Sequence, residues 1–324
     1  MQPWHYARAE RPSVVLTNAR KMTSTSGNPS QSGFFEGSGK FKLYYQTWLP
    51  QQQSAPRGHV LYYTGLHESL DITGVDRLSK SLTDQGYAFH GYEHQGHGRS
   101  SGKKGYVKSL KLLEQHALEF IDFILKSYTG SAPFFMIGHS MGGGLLALLG
   151  DRVIEQYGPR FGGAILLSAA LAGPNIGGPV ICMLRVVACM WPSAPLGPPE
   201  DPYAGFATRE EADRYKNSPH NYTGNMRLKT GQVFLDELFP AVARGLESGE
   251  LKSAFPYYAI HAKEDALPVS AVKDMMAVSK SGDNELREVR GHSHQLLADP
   301  GWESILEGIV AWIETRTDRQ RNAI

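Results

Sequence analysis

Three things are scarce in this 324-residue chain: cysteine, unbalanced charge and long apolar runs. Only Cys182 and Cys189 are present. They stand seven positions apart, about 10 Å along a helix, whereas a disulfide needs Cα atoms within about 7 Å. The fold must therefore be held by its core, and the two thiols read as packing residues in a reducing compartment. Lys and Arg number 33 against 32 Asp and Glu, a formal net charge of +1. With neither a basic excess nor a basic stripe, nucleic acid is not a partner. The longest apolar stretch, 179–191, is interrupted by Arg185 and falls short of the roughly 20 residues a membrane span requires. Residues 1–31 contain no apolar core of a secretory signal. Arg8, Arg11, Arg20 and Lys21 face a single acid, Glu10, and the polar run 23–32 follows. This reads as a flexible extension rather than an organellar leader. The expectation is an intracellular protein, cytoplasmic or peripheral on a membrane or lipid droplet.

What the chain does have is glycine, 35 residues of it, against a typical share near 7%. With 41% hydrophobic residues it can build a large core without metal or disulfides. From 34 onward, strand and helix patterns alternate. Strands are expected at 40–48, 58–64, 87–92, 134–138, 163–168, 257–262 and 286–290. Between them Leu110, Leu113, Ala117, Phe120, Ile121 and Ile124 recur at three and four residues, the spacing of an amphipathic helix. Further helices are expected at 142–157, 270–279 and 302–316. Such alternation implies a mostly parallel sheet with helices on both faces. It stops at Ala172, and 172–245 is too long for a plain connection, so it reads as an insertion with structure of its own.

Gly138-His139-Ser140-Met141-Gly142 matches G-x-S-x-G. An apolar strand leads into it and a glycine-rich helix start follows, the setting of a nucleophile elbow. A serine hydroxyl needs a base, usually His oriented by a carboxylate, and in this fold the chain order is Ser, acid, His. The late strand 257–262 ends in Lys263-Glu264-Asp265, which makes Asp265 the acid, with Glu264 its competitor. The strand 286–290 ends in Gly291-His292-Ser293-His294, and spacing does not choose between the two histidines. Backbone donors for an oxyanion would be Met141 N–H and Leu66 N–H, the latter from the loop after the early strand.

At this point the residues resemble the monoacylglycerol lipase and lysophospholipase-like branch of the α/β-hydrolase superfamily, of serine aminopeptidase type. The resemblance covers roughly 34–316. It rests on Phe34-Phe35-Glu36-Gly37, on His94-Gln95-Gly96-His97-Gly98-Arg99-Ser100, on the full elbow Gly138 to Gly143, on His261 through Asp265, and on Gly291 through His294. It implies an α/β-hydrolase fold with an inserted cap and favours Asp265 as acid and His294 as base. It also implies a lipid ester as substrate, cleaved without a cofactor or metal. There are departures. The family's oxyanion loop reads His-Gly-x-Gly-Glu-His, and here Thr64 and His67 replace the first His and the second Gly. Ile72 stands where an arginine follows the Glu, and Glu93 replaces an Asp. By the same analogy Glu68 and His139 either contact a glycerol-like head group or brace the elbow and oxyanion loop.

The organisation expected is a flexible extension over 1–32, core over 33–171, cap over 172–245, core over 246–318 and a tail over 319–324. Within the cap, Val180, Ile181, Met183, Leu184, Val186, Val187, Met190 and Trp191 are apolar all round. A helix of that kind is buried or faces lipid, which points to a lid with Val180, Leu184 and Val187 along an acyl tunnel and to membrane or micelle contact. Competing readings are a lysophospholipase, short-chain carboxylesterase, thioesterase or aminopeptidase of the same fold. A non-catalytic ligand-binding protein is disfavoured by the complete Ser140, Asp265 and His294 set. Oligomeric state and acyl-chain preference are not legible.

Overall fold

Five-residue runs such as His-Val-Leu-Tyr-Tyr have no polar alternation, so both of their faces must be covered. In the computed structural model these runs form the middle of one mixed nine-stranded sheet. The residues described are 21–23, 30–51, 55–128, 130–173, 178–199 and 201–322. The strands are β1 (Lys21–Thr23), β2 (Ser30–Gly37), β3 (Phe41–Trp48), β4 (His59–Tyr63), β5 (Ala88–Tyr92), β6 (Phe134–His139), β7 (Phe161–Leu167), β8 (Tyr257–Ala262) and β9 (Asn284–Val289). Their order is β1-β2-β3-β5-β4-β6-β7-β8-β9. From β5 to β9 the pairing is parallel, and β1 to β3 add an antiparallel edge.

Helices α1 (Thr73–Asp84) and α10 (Trp302–Asn322) cover one face, and α2 (Leu110–Ser127), α3 (Met141–Tyr157) and α9 (Ser270–Val278) cover the other. Strand residues divide between them by the two-residue period. Leu61 and Tyr63 of β4 pack with Phe120 and Leu146, while Val60 and Tyr62 pack with Val75 and Ile309. Between β7 and β8 lie α4 (Gly178–Met190), α5 (Pro202–Gly205), α6 (Arg209–Asn217) and α7 (Leu228–Gln232). A π-helical turn, Val233–Leu238, then leads into α8 (Phe239–Ser248). Among the described residues no helix is long and apolar enough to cross a membrane.

Four expectations need correction. The extension over 1–32 is not wholly outside the fold: β2 begins at Ser30 and pairs along its length with β3, and β1 pairs with β2. Only Phe34 and Phe35 in β2 are apolar, so its place rests on edge-strand hydrogen bonds and on one inward ring, Phe35. The boundary drawn after 245 falls inside α8, whose Val242 packs into the sheet's core with Val233 and Leu238 before it. The tail over 319–324 is helical to Asn322, with Arg319 3.4 Å from Asp283. Both cysteines are exposed on α4 rather than packed.

Candidate active site

Ser140 stands between β6 and α3 with φ +49° and ψ −114°. This is a left-handed conformation that a residue with a side chain holds only when its surroundings impose it. Three hydrogen bonds impose it. Ser140 N–H donates to Leu167 O (2.9 Å), and Ser140 O accepts from Ala170 N–H (2.9 Å) and Gly144 N–H (3.0 Å). The flanking glycines are required by space. A Cβ on Gly138 would lie 2.6 Å from the Gly142 carbonyl, and one on Gly142 would lie 2.2 Å from Tyr63 O. The turn therefore brings α3 against the end of β4 and leaves the serine at the mouth of two cavities. Met141 N–H opens α3 and has no intrahelical acceptor.

His294 and Asp265 meet across the loops after β9 and β8. His294 Nδ1 is 2.8 Å from Asp265 Oδ2, and Asp265 Oδ1 accepts from Leu267 N–H at 3.0 Å. The Asp265 side chain is buried. Burial pushes its carboxyl up, but the His294 hydrogen bond and charge, Leu267 N–H and nearby His261 together hold it below the usual carboxylate range. Glu264 is exposed and takes no part. His292 lies 3.8 Å from Asp299 rather than at Asp265, which separates the two histidines that spacing alone could not. Ser140 and His294 line the same cavity.

The loop after β4 reaches the same place. Glu68 is buried and fully engaged: Oε2 accepts from Gly65 N–H (2.6 Å), and Oε1 accepts from Gln295 Nε2 (2.6 Å) and lies 2.8 Å from His139 Nδ1. His139 in turn donates from Nε2 to the His294 carbonyl at 3.1 Å. Burial favours the neutral form of both groups. Their mutual attraction prevails, so the Glu68 carboxyl sits below and the His139 imidazole above its ordinary value. One buried ion pair thus joins the oxyanion loop, the elbow and the turn that carries His294. These bonds brace the three segments; Glu68 also lines the smaller cavity, and His139 lines neither.

The larger cavity, about 300 Å³, is lined by Leu66, Ser140, Ile181, Leu184, Met226 and Phe234 among others. The smaller, about 210 Å³, is lined by Leu66, His67, Glu68, Ser140, His294 and Gln295 beside Pro198, Pro199 and Met226. Of the α4 residues expected along a tunnel, Leu184 lines the larger cavity. Val187 does not: it packs on Ala188, Ala194 and Leu228. The Val180 side chain lies outside the described residues.

A family profile described as "Serine aminopeptidase, S33" matches residues 54–301, more than two thirds of the chain. The chain belongs to this hydrolase family. Among curated relatives the hydrolase is 25% identical to the monoacylglycerol lipase of Mycolicibacterium smegmatis over 286 residues, 86% of this chain and 95% of the relative. It is 26% identical to human monoglyceride lipase over 280 residues, 85% and 88% of the two chains. The structure of a soluble variant of the Saccharomyces cerevisiae monoglyceride lipase superposes with a TM-score of 0.72 at 19% identity, covering 95% of this chain and 98% of that one. That of the Paleococcus ferrophilus monoacylglycerol lipase gives 0.68 at 24% identity, covering 85% and 99%. The hydrolase is thus an α/β-hydrolase of the monoacylglycerol lipase-like branch.

Sequence reasoning missed two residues of the hydrolase's site. Gln295 lines the smaller cavity and holds Glu68. Its only signal was adjacency to His294. Asp299 is buried and accepts from the Ser293 hydroxyl (2.8 Å) and from Ala207 N–H (3.0 Å), which fixes the turn before His294. The departure at His67 also has a structural counterpart. The hydrolase keeps φ +66° at this position, where the family carries glycine, with the imidazole edge-on to Tyr222 at 4.8 Å.

Proposed function

We propose that this chain is a serine ester hydrolase acting on lipid esters, a monoacylglycerol first among them, through an acyl-enzyme on Ser140. The observation that carries this reading is the position of Ser140 between an apolar cavity lined by Ile181, Leu184, Met226 and Phe234 and a smaller one to which His67, Glu68, His294 and Gln295 add polar groups. An acyl chain suits the first and an alcohol the second. His294 takes the Ser140 proton as the hydroxyl attacks the ester carbonyl, and Leu66 and Met141 N–H hold the oxyanion. The alcohol leaves with the proton from His294, and water then attacks the acyl-enzyme by the same route. Asp265 holds the imidazole tautomer that makes this possible.

The alcohol-side cavity argues for a neutral head group over a phosphate. Its lining includes the Glu68 carboxylate and no Lys or Arg among the described residues, and Ile72 stands buried where the family places an arginine. A lysophospholipid's phosphate would find no ammonium or guanidinium there to pair with.

The substrate reaches the cavity from a lipid surface. α4 presents Ile181 and Leu184 to the cavity, while Met183, Val186, Met190 and Trp191 are each at least 61% exposed. The one charge on α4 is neutralised, since Arg185 pairs with Asp236. An exposed apolar stripe without bare charge suits the acyl–headgroup boundary of a membrane or micelle.

The test is a panel of monoacylglycerols and lysophospholipids of several chain lengths, with fluorophosphonate labelling of the wild-type chain and of Ser140→Ala. Preferred turnover of monoacylglycerols and loss of labelling in the variant are expected. Labelling that survives Ser140→Ala refutes the nucleophile, and faster turnover of lysophospholipids refutes the head-group reading.

A further inference from the structure

The segment after α6 carries none of the chemistry above, yet three consecutive residues of it grip the oxyanion loop. Asn221 Oδ1 accepts two hydrogen bonds from Ser69, one from its N–H (2.9 Å) and one from its hydroxyl (2.7 Å). The Asn221 amide donates to Tyr215 O at 3.0 Å, at the end of α6. On one side, His220 Nδ1 lies 2.6 Å from Asp71 Oδ2. On the other, Tyr222 N–H donates to His67 O at 2.9 Å. Positions 67, 69 and 71 are thus each held from outside the loop, by 222, 221 and 220 in antiparallel sense.

These contacts are not equal. Asp71 and His220 are each about one third exposed, and Asp71 also holds Arg99, so that contact is screened and duplicated. Ser69 is fully buried, and neither its N–H nor its hydroxyl can turn to water. His67, between Leu66 and Glu68, sits in a left-handed conformation that needs external support. The neighbouring anchors of the loop are Glu68 Oε2 on Gly65 N–H and the buried Glu93 carboxylate on Leu70 N–H at 3.0 Å. Between them lie the Tyr222 N–H on His67 O and Asn221, whose side chain holds Ser69 twice.

We propose that Asn221 is a positioning residue for the oxyanion hole: by holding Ser69 it fixes the loop that aims Leu66 N–H at the carbonyl attacked by Ser140. The chemical step then depends on how the segment after α6 is docked, not only on the loops of the core. This rests on the ester-hydrolase reading above.

The experiment uses steady-state hydrolysis of p-nitrophenyl butyrate, a soluble ester that needs no lipid surface, by the full chain. Asn221→Ala is expected to lower kcat by roughly 10- to 100-fold, the range for misplacing catalytic groups by up to about 1 Å, with KM unchanged within about twofold. Asn221→Asp keeps the acceptor for Ser69 but loses the donor to Tyr215 O, so it is expected to recover part of the loss. Glu211→Gln is the control: Glu211 bonds Thr73 and pairs with Arg77, so it joins α6 to α1 without touching the loop, and its kcat should stay at the wild-type level. Should Asn221→Ala fail to fold, Ser69→Ala removes one of the two bonds to Asn221, together with the acceptor for Asp71 N–H (3.2 Å), and should lower kcat about threefold at constant KM. Wild-type kcat in Asn221→Ala, an equal loss in Asn221→Asp, or a loss expressed in KM overturns the proposal. A wild-type chain that neither turns over the ester nor takes the fluorophosphonate label overturns the hydrolase reading and this role with it. Turnover by the wild type with unaffected variants overturns this role alone.

Discussion

Replacing Gly142 with alanine sets two physical arguments against each other. Gly142 lies in the first turn of α3 and needs no left-handed φ. On helix propensity alone, alanine there should stabilise the protein by about 0.5–1 kcal/mol. The packing reverses the sign. The added Cβ would sit 2.2 Å from Tyr63 O, 2.8 Å from Tyr63 C and 2.9 Å from Thr64 O. These are backbone atoms at the end of a central strand paired on both sides, so no side chain can rotate away. The start of α3 and the end of β4 must part by about 1 Å, and overpacking of this kind costs about 1–3 kcal/mol. After the propensity gain, about 1 kcal/mol or more of destabilisation remains, a fall in melting temperature of a few degrees for a chain of this size.

The kinetic consequence is larger. β4 runs on into Leu66 and α3 follows directly from Ser140, so the same 1 Å separates the nucleophile from an oxyanion donor. Misplacement on that scale lowers the rate by about 10²-fold. The assay is kcat on p-nitrophenyl butyrate beside a calorimetric melting curve. Gly178→Ala is the control, since a Cβ there meets nothing within 4 Å among the described residues and the melting temperature should not fall. A Gly142→Ala variant that melts higher than wild type and keeps its kcat would refute the packing argument outright.

Asp265→Asn should keep the fold and lower kcat by about 10³- to 10⁴-fold, because an amide cannot hold the His294 tautomer or stabilise its charged form; a loss under tenfold in steady-state kinetics assigns the orienting role elsewhere. Glu68→Gln removes half of a buried ion pair and should cost about 3–5 kcal/mol in urea unfolding. The carboxyl of Glu68 lies below its ordinary 4.5, so its share of stability is present above that pH and is lost as pH falls through the folded value. His139 lies above its ordinary 6.5, so its share is present below that pH and is lost as pH rises through the folded value. The gap between wild type and variant should therefore be widest between about pH 4.5 and 6.5, and a gap independent of pH from 4 to 9 contradicts an ionised pair. Met183→Lys with Met190→Lys should weaken flotation with phosphatidylcholine vesicles and slow hydrolysis of long-chain monoacylglycerols, while p-nitrophenyl butyrate turnover stays within about twofold; equal losses on both substrates rule out a lipid-facing α4.

The elbow was readable in the chain because its constraint is local. G-x-S-x-G after an apolar strand needs no long-range partner to be recognised, and the clashes at Gly138 and Gly142 show why both glycines are there. Asp265 and His294 were readable at one remove, as polar residues in loops after late strands, although choosing His294 over His292 took a family resemblance and then a distance. Glu68 and His139 mark where local reading stops. Whether a carboxylate meets a substrate or braces a loop depends on how many of its lone pairs are already taken, and for Glu68 they are taken by Gly65 of its own loop, His139 at the end of β6 and Gln295 of the loop after β9. β2 was hidden for the opposite reason: its two phenylalanines give no periodicity, and its register is set by backbone pairing with β3. α4 falls between these cases. Its all-round apolarity was plain, but that pattern does not distinguish a core helix from a lid. In the structure its two sides differ, with Leu184 toward the cavity beside Ser140 and Met183, Val186 and Met190 left to solvent. A helix that needed only to close the cavity could carry polar residues on its outer side at no loss of packing. Keeping methionine and valine there exposes apolar area that water penalises, and a surrounding lipid phase is the environment in which that penalty disappears.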